Sequence, residues 1–381
     1  MGHTRYNGVL RLVAGAGPGD RDAGSANGAR TMARIIVALS GGVDSAVAAS
    51  LLKEAGWEPV GVHLRLYDAD VEADGACCGD LAAADARRVA AQLDIPFYVR
   101  DLRDDFAREV AAFTVASYAR AETPNPCLAC NHRVRIPGLL RLADSLGIEA
   151  VATGHYVRIL EHDGRRFLAE GREPGRDQSY ALYRLGSEEL ARLHFPLGEL
   201  DKDAVRARAA AAGLHVADKA SSVDLCFAKS AGGIGRLVAR EWPETGQPGP
   251  LVDEQGAVVG EHPGIAYLTI GQRSGLHWRR TTPERRYVAG IDPTTRTATV
   301  APRSRLGTRA ATLRDPIWHD TPADGVEARL RYQGPRVPVV VTGDTVRFPA
   351  PGPPLAVGQG VVLYDGPRVL GGGVAAAVER G

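Results

Sequence analysis

Apolar runs and helical segments alternate along the first half of the chain. Arg34–Leu39 (RIIVAL) has the length and composition of a buried strand, and Ser45–Ala55 reads as the helix after it. Pro59–Leu66 predicts a second strand, Asp80–Leu93 a second helix and Pro96–Arg100 a third strand. Helices follow near Asp104–Arg120 and Gly138–Leu146, then a strand at Glu149–Thr153. This βαβα order predicts an α/β domain whose parallel sheet carries helices on both faces and takes its ligand at the carboxyl ends of the strands. After about Asp218 the helical period fades. Gly and Pro then punctuate short alternating runs such as Arg336–Arg347 and Gly360–Tyr364, which predict a small β-rich domain followed by a β-barrel.

The expected boundaries are 32–220 for the α/β domain, 221–284 for the β-rich linker domain and 285–381 for the barrel. Residues 1–31, rich in Gly, Arg and Ala, lack the apolar core of a signal peptide and read as a disordered extension, or as the product of a start placed upstream of Met32. No apolar run of about 18 residues predicts a membrane span, so a cytoplasmic protein is expected.

Composition changes this picture little, but charge distribution adds to it. The chain of 381 residues has a net charge of +1. From Arg279 onward there are 15 Arg and no Lys against 9 acidic residues, whereas the preceding part is net acidic. A basic tail domain suits a partner with a phosphate backbone, and equally a solvated surface in an Arg-rich protein. Five cysteines, an odd number without an export signal, argue against a disulfide framework and for reactive thiols or metal ligands.

A strand running into Ser40-Gly41-Gly42-Val43-Asp44-Ser45 and then a helix is a phosphate-binding arrangement. Glycines allow the sharp turn, the helix N-terminus offers N–H donors, the serines add hydroxyls, and Asp44 can help hold Mg²⁺. The NTPase pattern G-x-x-x-x-G-K-[ST] is absent. SGGVDS resembles instead the PP-loop of ATP pyrophosphatases, which hold the β,γ-pyrophosphate and pass AMP to an oxygen. By that resemblance ATP contacts Ala38, Leu39, Ser40, Gly41, Gly42, Val43, Asp44 and Ser45.

Further motifs select within that superfamily. TPNPCLACN (123–131) is similar to the signature around the first cysteine of the tRNA-specific 2-thiouridylases. ATGHY (152–156), RDQSY (176–180), FPLG (195–198), LCF (225–227), TIGQR (269–273), LYDG (363–366) and LGGG (370–373) continue the resemblance in order over residues 32–376. Arg176 and Arg135 stand where Lys is common in that family, Ala181 and Ile136 where Phe is usual, and 228–235 departs most from its pattern.

The resemblance implies ATP-dependent adenylation of the 2-carbonyl oxygen of the wobble uridine in the tRNAs for Lys, Glu and Gln, then replacement of that oxygen by sulfur. It implies that Cys226 carries a persulfide received from a cysteine desulfurase or relay protein, and that Cys130 is the partner nucleophile. It further implies Leu64 and Gly154 at the nucleotide. Asn125, Pro126 and Cys127 would lie beside the target base, and His155, Arg176, Asp177, Gln178, Arg331, Tyr332 and Gln359 would face the tRNA. A monomer is expected. Two alternatives stay open. Cys127, Cys130 and Cys226, with Cys77 and Cys78 upstream, could hold zinc or an iron–sulfur cluster. The loop alone would also fit an amidotransferase-type synthetase, which would need neither Cys130 nor Cys226.

Overall fold

The computed structural model describes residues 11–12, 32–68, 80–220, 227–228, 232–279, 284–322 and 325–381. Two compact units divide the chain. One comprises Met1–Phe106, Cys130–Cys226 and Gly366–Val369, and the other Ala107–Ala129, Phe227–Asp365 and Leu370–Gly381.

In the first unit, β1 (Arg34–Ala38) leads into α1 (Val43–Glu54), β2 (Glu58–Arg65), α2 (Asp80–Gln92), β3 (Phe97–Asp101), α3 (Ile136–Ser145) and β4 (Ala150–Ala152). An antiparallel hairpin follows, β5 (Val157–His162) and β6 (Arg165–Glu170), then β7 (Leu193–His194) and α4 (Lys202–Ala211). The sheet order β3–β2–β1–β4–β7 is parallel throughout. Strands buried on both faces need no alternation, which is why RIIVA is continuously apolar. Ile35 and Val37 pack into one core with Ala46, Val47 and Ala49 of α1, Ala86 and Val89 of α2, and Val205 and Ala209 of α4. The crossover from β3 puts α3 against β1 and β4, beside the fully buried Ile36 and Val151.

The hairpin and β7 went unpredicted. β7 is two residues long and β5 mixes polar with apolar positions, so neither carries a strong local pattern. Backbone pairing joins Arg11–Leu12 to β5; the rest of 1–31 lies outside the described residues, as do Cys77, Cys78 and Cys226.

In the second unit the predicted helix over 104–120 contributes a π-helical turn, Ala107–Ala112, and an α-helix, Phe113–Ala119. Val115 of that helix packs with Val238 and Ala266. Val238 belongs to a helix, Ile234–Glu241, that stands where the helical period was expected to fade, within a linker domain that is otherwise β-rich as expected. Gly233 before it and Trp242-Pro243 after it bound eight residues of amphipathic helix. Beyond it lies a five-stranded sheet in the order His277–Trp278, Val258–His262, Gly249–Val252, Thr297–Pro302, Arg286–Asp292, with Leu251, Val288 and Val300 at its centre.

The C-terminal sheet is antiparallel and nearly closed. Thr308–Trp318 pairs with both Thr345–Gly352 and Arg368–Arg380, around a core that includes Val346, Leu363 and Leu370. The run expected as one alternating stretch, Arg336–Arg347, is divided into Arg336–Pro338, Val340–Thr342 and the start of Thr345–Gly352; Gly343 (φ +58°) turns the last two into a hairpin.

Candidate nucleotide and thiol site

The loop after β1 lies at the carboxyl edge of the parallel sheet, with β2 on one side and β4 on the other. Leu39 N–H donates to the Val62 carbonyl at 2.8 Å, and the buried His63 ring holds the Leu39 carbonyl through Nδ1 at 2.9 Å. Gly41 turns the chain at φ +73°, and a Cβ there would fall 2.3 Å from the Ala82 carbonyl oxygen. Only glycine fits. Gly42 caps α1 with extended geometry and no side-chain acceptor, so the first-turn amides, which a helix leaves without internal partners, are available to an anion.

The two serines stiffen the loop. Ser45 Oγ donates to the Gly42 carbonyl at 3.1 Å and accepts from Ser40 N–H and, by elimination of its single proton, Ser40 Oγ, both at 3.1 Å. Gly154 closes the other side: a Cβ there would meet Ser45 N at 2.9 Å and the Asp44 carbonyl carbon at 3.0 Å. The expected nucleotide residues of loop and ATGHY segment therefore lie against one another, and Leu64 is buried near the end of the adjacent β2.

Two lysines at this loop escaped the sequence reading. Lys202, only 6% exposed, bonds Asp44 Oδ1 through Nζ at 2.5 Å. The Tyr156 hydroxyl donates to the same oxygen at 2.6 Å, and burial and the Asp44 carboxylate both push that phenol upward, keeping it protonated. Lys202 is the first residue of α4, where the helix dipole disfavours a cation. Its N–H is held by Glu173 Oε2 at 2.8 Å, and Asp201 caps the helix by accepting from Ala204 N–H at 2.7 Å. A buried lysine against the dipole is the signal in FPLGELDK that could have pointed here. Lys219 Nζ donates to the Gly41 carbonyl at 2.9 Å and to Asp85 Oδ2 at 2.6 Å. Burial acts to raise the Asp85 pKa, but Lys219 and His215 outweigh it and hold the carboxyl low.

The RDQSY segment wraps the ATGHY segment. Gln178 Oε1 accepts from Tyr156 N–H at 2.9 Å. Asp177, expected to face tRNA, is instead turned inward: it is 1% exposed, and its carboxylate accepts from Gly171 N–H, Ser179 N–H and Ser179 Oγ. Arg176 is partly exposed. His155 Nδ1 lies 2.7 Å from Thr153 Oγ1, and burial, then Arg135, push its imidazole down to about 3.

Cys130 is buried at the start of a π-helical turn, Cys130–Arg135, that carries His132, Arg133 and Arg135. Burial, then Arg184 and Arg133, depress His132, so the ring stays neutral while the two arginines carry the local charge. Asn131, 7% exposed, donates to the Ala181 carbonyl at 3.5 Å. In the second unit Asn125 Oδ1 accepts from Cys127 N–H at 3.0 Å and caps the short helix Pro126–Ala129, with buried Pro126 at its first position and Cys127 exposed. Arg331 and Tyr332 are exposed, and Arg331 lines an open groove of about 720 Å³ with Tyr287, Arg303 and Pro353. Gln359, expected at tRNA, donates through Nε2 to the Thr123 carbonyl at 2.6 Å. Among the described residues no group of three or more His, Cys, Asp or Glu side chains is arranged to hold a metal ion, and no helix is long and apolar enough to cross a membrane.

A doubly wound parallel sheet, with a glycine–serine loop and two lysines at the carboxyl end of its first strand, defines a nucleotide-binding α/β domain of the PP-loop class. The family models agree: a tRNA methyl transferase HUP domain matches residues 33–230, a tRNA methyl transferase PRC-barrel domain 237–302 and an aminomethyltransferase beta-barrel domain 308–375. The tRNA-specific 2-thiouridylase MnmA of Moorella thermoacetica is 42% identical over 91% of this chain and 100% of its own length. That of Methylorubrum populi is 44% identical over 89% of this chain and 92% of its own. The chain belongs to the tRNA-specific 2-thiouridylase family. Among solved structures, the U34-tRNA thiolase NcsA of Methanococcus maripaludis matches at 16% identity over 55% of this chain and 71% of its own, with a TM-score of 0.33.

Three outcomes follow from this geometry. Gly154→Ala is expected to displace the α1 N-terminus and weaken ATP binding by about tenfold or more, read by calorimetric titration. Lys202→Met is expected to weaken ATP binding while leaving the fold intact by circular dichroism, since the unbranched apolar chain of Met fills most of the space of the lysine stem; unchanged affinity would remove Lys202 from the site. For His155, the folded ring titrates near 3 and the unfolded ring near about 6.5. The unfolded state therefore binds more protons in that window, so the His155 contribution is complete above the upper value and is lost as pH falls towards the lower. The denaturation midpoint of His155→Gln is expected to fall less steeply than that of the parent between those limits.

Proposed function

We propose that this protein is an ATP-dependent tRNA 2-thiolation enzyme, a tRNA-uridine 2-sulfurtransferase. The observation that carries the reading is the Ser40–Ser45 loop packed against Gly154 and faced by Lys202, in a chain that also has Cys130 and Cys226 in the family's two cysteine motifs. In this reading the first-turn amides of α1 and the Lys202 ammonium take the β,γ-pyrophosphate. Asp44, bonded by Tyr156 and Lys202 through Oδ1, would help hold the Mg²⁺ that accompanies ATP and neutralises its phosphates. ATP then transfers AMP to the 2-carbonyl oxygen of the wobble uridine, which makes that oxygen a leaving group.

Sulfur arrives as a persulfide on Cys226, from a cysteine desulfurase or a relay protein. The Cys130 thiolate attacks Cys226 Sγ, the Cys130–Cys226 disulfide forms and hydrosulfide leaves. Hydrosulfide adds to C2 of the adenylated base, and AMP departs. An external dithiol reduces the disulfide and restores both thiols. Asn125, Pro126 and Cys127 stand beside the flipped base, and the exposed pair Arg331 and Tyr332 meets phosphate and a base face. A cytoplasmic monomer suits this chemistry. Zinc or an iron–sulfur cluster would require Cys226 to complete a set with Cys127 and Cys130; two thiols suffice for the persulfide route.

The test combines the protein with ATP, unmodified tRNA, a cysteine desulfurase and cysteine. The parent is expected to form 2-thiouridine, AMP and pyrophosphate. Cys226→Ala and Cys130→Ala are each expected to lower 2-thiouridine by about three orders of magnitude while pyrophosphate release persists. Undiminished product with Cys226→Ala would overturn the mechanism, and no product from the parent would overturn the function.

A further inference from the structure

The segment Glu122–Cys127 carries the residues that the proposed function places beside the target base, and within the second unit it is held from several sides by the C-terminal barrel. Thr123 N–H donates to the Val357 carbonyl at 2.8 Å, and Gln359 Nε2 donates to the Thr123 carbonyl at 2.6 Å. Both backbone polar groups of Thr123 are thus satisfied by one short barrel segment. Between those contacts lies Gly358, whose φ of +92° and closeness to the backbone leave no room for a side chain: a Cβ would stand 3.0 Å from Thr123 N and 3.2 Å from Pro124 N. The Gln359 backbone is itself tied to the barrel, since Ala375 N–H donates to its carbonyl at 2.9 Å and Gly358 N–H to the Ala375 carbonyl at 2.8 Å.

A charged clamp adds to this. Arg314, in the strand Thr308–Trp318, reaches Glu122 with both terminal nitrogens, at 3.2 Å to Oε1 and 2.5 Å to Oε2. The Glu122 side chain is 14% exposed, and Arg314 holds its carboxyl below the usual range. A bidentate, half-buried guanidinium–carboxylate pair fixes orientation as well as distance. Thr269 of the TIGQR segment closes the third side, its hydroxyl 3.4 Å from that of Thr123.

We propose that Arg314 and Gln359 are positioning residues, through which the C-terminal barrel sets the conformation of the base-facing segment and so acts on the reaction rate rather than on tRNA retention alone. The inference rests on the thiolation reading above. It gives Gln359 a role besides tRNA contact, because its Nε2 already donates to the Thr123 carbonyl. It also gives a reason for a barrel strand far along the chain to carry an arginine with a fixed acidic partner. Displacing the segment by about an ångström would misplace the base it faces, which costs roughly tenfold to a hundredfold in rate.

Single-turnover pyrophosphate release on unmodified tRNA, tRNA affinity by filter retention and ATP affinity by titration test this together. Arg314→Met, Glu122→Gln and Gln359→Met are each expected to slow release about tenfold or more, with both affinities within about twofold of the parent. Arg314→Lys, which keeps the charge but not the bidentate fork, is expected to recover part of the rate. Thermal unfolding checks each variant. If Arg314→Met does not fold, Gln359→Met, which removes one hydrogen bond, carries the test. Weakened tRNA binding with an unchanged rate would make these residues tRNA contacts, and unchanged values throughout would make the clamp irrelevant; either overturns the proposal. A parent protein that forms no 2-thiouridine at all would overturn instead the reading on which it rests.

Discussion

The backbone of Asp44 and Ser45 passes so close to Gly154 that a single methyl group would not fit between them. That approach ties two segments more than a hundred residues apart, the loop after β1 and the turn after β4, at the same edge of the parallel sheet. Everything at the nucleotide end follows from it. The α1 amides can face outward because the loop behind them is filled by the Ser40–Ser45 hydroxyl bonds. Tyr156, two residues beyond Gly154, comes within reach of Asp44. The chain beyond then delivers Lys202 to the same carboxylate.

Lys202 shows how a local rule gives way to a site. A cation at the first position of a helix opposes the dipole, and a buried ammonium is costly to desolvate. Both costs are offset by neighbours: Glu173 and Asp201 serve the helix end, and Asp44 and the Tyr156 ring receive the ammonium. An anionic phosphate entering the loop would meet a lysine already oriented by these groups.

The second unit applies the same economy to a different segment. Asn125 and Pro126 shape the short helix before Cys130 by local capping, whereas Thr123 and Glu122 are held by residues from the far end of the chain. Local chemistry therefore sets the turn itself, and long-range contacts set where it stands.

Much of this was legible in the residues alone. The apolar run Arg34–Leu39, the SGGVDS loop and the βαβα order are local or periodic signals, and they determined the sheet, the loop and the class of chemistry. Cys130 and Cys226 could be singled out because their flanking residues repeat a family's pattern. What the linear order could not decide was which distant groups converge. Asp177 reads as a polar residue of an exposed motif, yet it folds inward to satisfy three donors. Gln359 is expected at the tRNA by resemblance, and its Nε2 also closes on Thr123. Lys202 lies in no motif and reaches the loop only through the α4 start. The helix Ile234–Glu241 spans barely two turns, and the partner of its apolar face, Val115, lies more than a hundred residues earlier. Periodicity reports on a residue's immediate neighbours along the chain. Burial, ion pairing and hydrogen-bond satisfaction depend on neighbours in space, and those were settled only by the tertiary fold.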